Sequence, residues 1–225
     1  GEYKAIYGYI GLIIYHFMFF TLSKISSLIS CREYILKKKA GDIVAPSQIT
    51  SEWLKNYKQP EIHNIKLLYV GRIKKEKGIY SLLEIIKNSN INFSLSIVGA
   101  EKNSLNLLTQ ENIYVHEVEN NEQNLIKFYD DHNIFVLPSY TEGHPMVLVE
   151  SLARLRPVII FKDIEHVIGD KKGIFVAERN SNSFFRTIEH IIENYKNIQQ
   201  EMKKNKLPTK DEFLKKFSEL ISKLN

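Results

Sequence analysis

A single cysteine, Cys31, stands in 225 residues. An internal disulfide is therefore excluded, and one lone thiol fits a reducing compartment. Zinc-finger spacing and an aromatic-and-glycine RNA signature are both missing, which argues against nucleic acid as a partner. No Asp-x-Asp follows a strand-like run to hold a metal, and Asp130-Asp131 falls at the end of a helix-like stretch. There is no internal repeat and no low-complexity tract. Charge of one sign is in modest excess, 31 basic against 26 acidic residues, for a net +5. Much of that excess lies at 37–39, 74–77 and 203–216. Such clusters read first as solvated faces, permitting phosphate or anionic lipid without requiring either. What is present is a globular composition, 44% hydrophobic and 25% charged, long enough for one large domain or a domain with an appendage.

The chain opens at Gly1 without Met, which reads as a truncated or processed start. Residues 5–23 carry no acid or base apart from His16. The run approaches the ~20 residues that span a bilayer. No cationic segment precedes it and no small-residue cleavage site follows, so a signal peptide fits poorly. Two glycines, three tyrosines and a histidine weaken the spanning reading, which leaves a buried helix or one lying against a membrane surface. His16 reads as a core histidine.

From Ile65 onward, short apolar runs alternate with amphipathic stretches. Strands are predicted at 66–70, 93–98, 113–116, 134–137, 158–161 and 173–176, with helices at 78–88, 122–131, 145–154 and 183–195. This order predicts an α/β fold, a Rossmann-like parallel sheet with helices on both faces. Ligands of such sheets sit beyond the carboxyl ends of the strands. Residues before about 60 fall outside the alternation. They read as an apolar helix, a strand at 42–45 and a short helix after Pro46-Ser47, with 56–64 as the best linker. The tail from 197 is helical, and Phe213, Leu214, Phe217, Leu220, Ile221 and Leu224 form an apolar stripe that reads as packing.

Three strand-ending loops stand out. In Gly71-Arg72-Ile73-Lys74-Lys75-Glu76-Lys77-Gly78 the first glycine lets the backbone turn close to a ligand. Arg72 and Lys77 suit a diphosphate, one as a planar fork and the other as a point charge. A solvated charged turn is the plainer alternative. Gly99, in Val98-Gly99-Ala100-Glu101, either makes room for a nucleotide or simply turns the chain. The third loop runs from Pro138 through Glu142, Gly143, His144, Pro145, Met146 and Val147 to Glu150. Pro145 suits a first helical position, whose missing N–H is not needed. Behind it the helix N-terminus offers free N–H groups and a positive dipole end to an anion, with Gly143 clearing the approach. Glu142 and Glu150 bracket a span of nucleotide-sugar size at about 1.5 Å per residue. Such a pair of carboxylates also occurs in glycosidases. However, a diphosphate leaves without an acid once its charge is neutralised, and the basic loop supplies that neutralisation.

With these residues in view, the chain resembles the retaining GT-B glycosyltransferases of family 4, the group 1 glycosyl transferases. The matching segments are YVGRIKKEKG from Tyr69, SIVGA from Ser96, FVLPSYTEGHPMVLVE from Phe135 and RPVII from Arg156, over about 65–195. The resemblance implies two Rossmann-like domains, with a nucleotide-sugar donor on the C-terminal one. Arg72 and Lys77 would hold its diphosphate and stabilise the leaving group. Glu142 and the backbone from Gly143 to Met146 would place sugar and phosphate, and Glu150 would hold the ribose. By the same resemblance 1–58 is a remnant of the N-terminal domain, 59–196 the donor domain and 197–225 helices packing on it. The acceptor site would lie in the missing part. Implied are a UDP-, GDP- or ADP-sugar donor, no obligate metal, a glycan or lipid-linked acceptor, and surface-polysaccharide synthesis in the cytoplasm or at the inner face of its membrane. A non-catalytic nucleotide-sugar module and a sugar-nucleotide epimerase of the same architecture are the rival readings. Two departures from the family stand out: Leu155 replaces a glycine where the helix should end left-handed, at a cost on the order of 1 kcal/mol. The usual Gly-Gly-x-x-Glu segment is also absent, with Glu165 as a stand-in carboxylate.

Overall fold

The computed structural model describes residues 2–31, 36, 40–87, 91–101 and 111–223, with side chains from residue 8 onward. The basic run at 37–39, Leu224 and the predicted helix end at Asn88 lie outside the described residues. The chain divides into two compact units, one of Ser47–Asp211 and one of Gly1–Pro46 with Glu212–Asn225.

The larger unit is built on six parallel strands: β3 (Ile65–Val70), β4 (Phe93–Ala100), β5 (Ile113–Glu117), β6 (Ile134–Leu137), β7 (Val158–Phe161) and β8 (Ile174–Ala177). β6 and β7 are buried at every position, as expected of apolar runs covered on both faces. The spatial order is β5-β4-β3-β6-β7-β8. The chain starts at the centre, winds to one edge, then returns to the centre and winds to the other. β3 and β6 are the neighbours at this reversal, paired through Leu67–Ile134 and Leu68–Phe135. A reversal of this kind opens a crevice at the carboxyl ends of the two strands. Among the described residues, this unit carries the helices α2 (Ile79–Ile86), α3 (Glu122–Asp131), α4 (Met146–Ala153), α5 (Ser181–Glu193) and α6 (Tyr195–Met202). Their sequences supply both caps and stripes. Asn121 and Asn180 accept hydrogen bonds from backbone N–H groups three residues on, and α5 buries Phe184, Ile188 and Ile191 on one face.

Segment 47–58 packs with this unit. The expected short helix after Pro46-Ser47 is one 3-10 turn, Ser51–Leu54, because Trp53 drives into the sheet's core instead of lying along a helix face. Trp53 Nε1 and Thr50 Oγ1 both donate to Glu122 Oε1, at 3.0 and 2.7 Å. The stretch at 56–64, expected to link domains, is tied down along its length. Arg154 donates to the carbonyls of Trp53, Lys55 and Asn56, Arg156 to that of Lys58, and Asn133 to those of Glu61 and Asn64. The compact division therefore lies between Pro46 and Ser47.

The smaller unit holds α1 (Glu2–Ile25) and a two-strand parallel pair, β1 (Ile29–Ser30) with β2 (Asp42–Ile43). Gly8 interrupts α1 with φ 61° and ψ −143°. The window Gly8–Ile25 is long and apolar enough to cross a membrane by length and composition, and 6% of it is buried. The last helix, α7 (Lys210–Ser222), carries the apolar stripe. Of that stripe Leu220 is buried and Phe213 half-buried, whereas Leu214, Phe217 and Ile221 are exposed, so packing accounts for only part of it.

Candidate active site

At the reversal between β3 and β6 the loops after the two strands face each other across a cleft of about 290 Å³. The first loop is turned by Tyr69, whose buried hydroxyl donates to the Arg72 carbonyl at 2.8 Å. Burial and the nearby Glu142 carboxylate push that phenol well above its ordinary range, so it stays a neutral donor. The loop then makes a 3-10 turn, Lys75–Lys77, and enters α2 through Gly78 at φ 69°. A Cβ on Gly78 would lie 1.8 Å from the Pro138 carbonyl oxygen. Only glycine therefore lets the basic loop reach the loop after β6. Tyr140 N–H donates to the Glu76 carbonyl at 3.0 Å and joins the same two loops.

Their functional side chains meet. Lys77 Nζ lies 2.7 Å from Glu142 Oε1, and Ser139 Oγ donates to that same oxygen at 2.7 Å. Among the described residues no hydrogen bond reaches Glu142 Oε2. That oxygen can accept from a ligand hydroxyl. An ammonium carries three donors, so pairing with Glu142 leaves Lys77 capacity for a phosphate oxygen. His166 Nε2 lies 2.8 Å from the Glu142 carbonyl oxygen, holding the loop's backbone as well. α4 starts beside this pair, with Pro145 (φ −72°, ψ 111°) capping it and Met146 as the first helical residue, one position later than expected. Its first N–H groups have no acceptor within the helix.

Of the predicted residues, Gly71, Arg72, Lys77, Glu142, His144, Pro145, Met146 and Val147 line the cleft, together with Tyr69, Val70 and Leu137. A Cβ at Gly143 would meet nothing within 4 Å, so the described fold itself does not require glycine there. Gly99 has a local cause: at φ 116°, its Cβ would come within 2.5 Å of the carbonyl oxygen of Gly71, just past the neighbouring strand. Glu150 is not in the lining. It is 7% exposed on the buried face of α4 and accepts from the Tyr129 hydroxyl at 2.9 Å, and burial raises its carboxyl above the ordinary range. Glu165 is exposed on the 3-10 stretch Lys162–Val167. Ser139 and His166 were not singled out from sequence. Ser139 stands three residues before Glu142 in the same loop, a local spacing that could have flagged it, whereas the role of His166 depends on a contact across the fold.

The group 1 glycosyl transferase family profile matches residues 54–207. The capsular polysaccharide biosynthesis glycosyltransferase CapM of Staphylococcus aureus is 31% identical over 144 residues, 57% of this chain and 37% of that protein. A putative teichuronic acid biosynthesis glycosyltransferase of Bacillus subtilis, TuaC, is 37% identical over 92 residues, 41% of this chain and 23% of the relative. The chain thus spans well under two thirds of the curated relatives it matches. Among solved structures, a sucrose-phosphate synthase from Thermosynechococcus elongatus has the same fold. Its TM-score is 0.73 at 17% identity, over 98% of this chain and 63% of that one. HepE of Anabaena, in complex with UDP and glucose, superposes with a TM-score of 0.69 at 12% identity, over 89% of this chain and 64% of that one. With the profile covering more than half of its length, the chain belongs to the glycosyl transferases group 1 family.

Proposed function

We propose that this chain is the donor-binding part of an enzyme that transfers a sugar from a nucleoside-diphosphate sugar to a glycan or lipid-linked acceptor. The observation that carries this reading is the convergence of Arg72, Lys77, Glu142 and the start of α4 on one cleft at the sheet's reversal point. The cations and the helix end offer charge neutralisation to a departing diphosphate. Glu142 Oε2 offers an acceptor to a sugar hydroxyl. That cationic work is assigned to side chains and the helix dipole, with no obligate metal. Retention is assigned through the motif set shared with retaining enzymes. The named roles of CapM and TuaC support synthesis of a surface polysaccharide, and we assign the reaction to the cytoplasm, at the inner face of its membrane.

The test is titration calorimetry of the chain with UDP, GDP and ADP and their sugar conjugates. Hydrogen bonds to charged groups contribute about 1.5–3 kcal/mol. Arg72→Ala and Lys77→Ala should therefore each weaken the bound diphosphate about ten- to hundred-fold, and the free nucleoside much less. Unchanged diphosphate affinity in both variants sinks the assignment.

A further inference from the structure

Arg179, just past β8, sits where loops from the other strand ends meet. Its Nε and one terminal nitrogen both donate to Asp163 Oδ2, at 3.1 and 2.6 Å. That terminal nitrogen also donates to the Ser139 carbonyl at 3.3 Å. The other donates to the Pro138 carbonyl at 3.0 Å and to Ser81 Oγ at 3.4 Å. Its flat faces are covered too, with the guanidinium carbon 4.0 Å from the Tyr140 ring centroid and 4.4 Å from that of Phe161. The side chain is 18% exposed. A guanidinium offers five donors in one rigid plane, and here its edges go to a carboxylate, a hydroxyl and two loop carbonyls. It acts on a ligand only through what it holds.

What it holds is the backbone of the loop that carries Glu142. The Ser139 carbonyl is fixed by Arg179 while the Ser139 hydroxyl donates to Glu142 Oε1 at 2.7 Å. We propose that Arg179, seated by Asp163, is a positioning residue that presents Glu142 to the donor's sugar and so sets the preference for nucleotide-sugar over bare diphosphate. This rests on the donor-site reading above. A lysine keeps the charge but loses the planar fork that bonds carboxylate and carbonyls together, so Arg179→Lys should behave like a loss of the residue.

The measured quantity is the ratio of affinities within the pairs UDP-glucose/UDP, GDP-mannose/GDP and ADP-glucose/ADP, by calorimetry on this chain. In the pair that the wild type binds, Arg179→Ala and Arg179→Lys should each lower the ratio about ten-fold or more, as expected when a contact group is misplaced. Diphosphate affinity should stay near wild type. Millimolar guanidinium ion should restore the ratio in Arg179→Ala and leave Arg179→Lys unchanged. If Arg179→Ala does not fold, Arg179→Lys with Asp163→Asn carries the test. A lower melting temperature with an intact ratio would mean plain scaffolding and overturns the proposal. Failure of the wild type to bind any pair removes the donor-site reading itself, an outcome visible before any Arg179 variant is made.

Discussion

The Glu150 carboxylate is 7% exposed, with the Tyr129 hydroxyl 2.9 Å from Oε2. Burial raises its pKa, and the Tyr129 bond offsets that only in part. Its folded-state pKa thus lies above the unfolded value, and the folded state carries a penalty once both states are ionised. That penalty is absent below the ordinary carboxylate range and grows as pH rises through the raised value. Glu150→Gln keeps an oxygen for Tyr129 and should therefore raise the melting temperature at neutral pH. The gain should shrink toward nothing in acid, as thermal melts across pH would show. The same variant tests the ribose role implied by family resemblance: diphosphate and nucleotide-sugar should weaken alike, and a 2′-deoxy analogue should lose less than in wild type. Glu142 belongs to a different surface, with 10% of its side chain exposed in the cleft lining. Glu142→Gln should weaken the nucleotide-sugar and leave the diphosphate nearly untouched, since only the sugar would reach that carboxylate. Equal movement of the sugar-to-diphosphate affinity ratio in both variants would show the two glutamates acting as one structural unit.

Among the elements, α4 is held differently at its two ends. Its start stays open toward the cleft, whereas its end leads into Arg154 and Arg156, each 1% exposed. Arg154 bonds both Asp130 oxygens, at 2.9 and 2.8 Å, as well as three carbonyls of segment 53–56. Losing one member of a buried, hydrogen-bonded pair costs about 3–5 kcal/mol. Arg154→Ala should lower stability by that amount in denaturant unfolding and open residues 51–58 to limited proteolysis. The exposed pair Lys58–Asp131 is the contrast, because exposed pairs contribute about 0–1 kcal/mol: Lys58→Ala should change little. Between the arginines, Leu155 sits at φ 56° and 4% exposure, and its carbonyl accepts from Gln199 Nε2 at 3.1 Å. The left-handed helix end persists without glycine. Strain there is on the order of 1 kcal/mol, against about 1.5–3 kcal/mol for burying a leucine. Leu155→Gly should therefore destabilise the chain despite relieving the backbone, and a stabilised variant in the same melts would reverse that ordering.

At the scale of the whole molecule, α1 presents Tyr9, Ile10, Ile13, Ile14, Phe17, Met18, Phe20, Leu22 and Ile25 as exposed side chains. They cover more than a narrow stripe, and a helix apolar over much of its circumference belongs in a core or against lipid. The chain should co-sediment with vesicles containing phosphatidylglycerol, and a chain beginning after Ile25 should not. A monodisperse monomer that ignores vesicles would count against it. The sequence by itself determined the parallel α/β architecture, because the strand runs are short, apolar and separated by amphipathic stretches. It also determined the two facing loops, since Gly71, Arg72, Lys77, Gly78, Glu142 and Pro145 are local signals of turn, charge and helix start. Segment 47–58 was misjudged from sequence because Trp53 falls in a stretch that reads as a short helix, and nothing local marks Arg154 and Arg156 as its partners. The arginines lie 98 to 101 positions from the carbonyls they hold in that segment, and Glu122 lies 69 from Trp53. Tertiary structure alone decided that Glu150 lies on the buried face of α4, that His166 holds the Glu142 backbone, and that Arg179 ties the loops together. The physical reason is reach: turn, cap and periodicity signals act within a few residues, whereas burial and hydrogen-bond partners are set by which strand ends the winding of the sheet brings together.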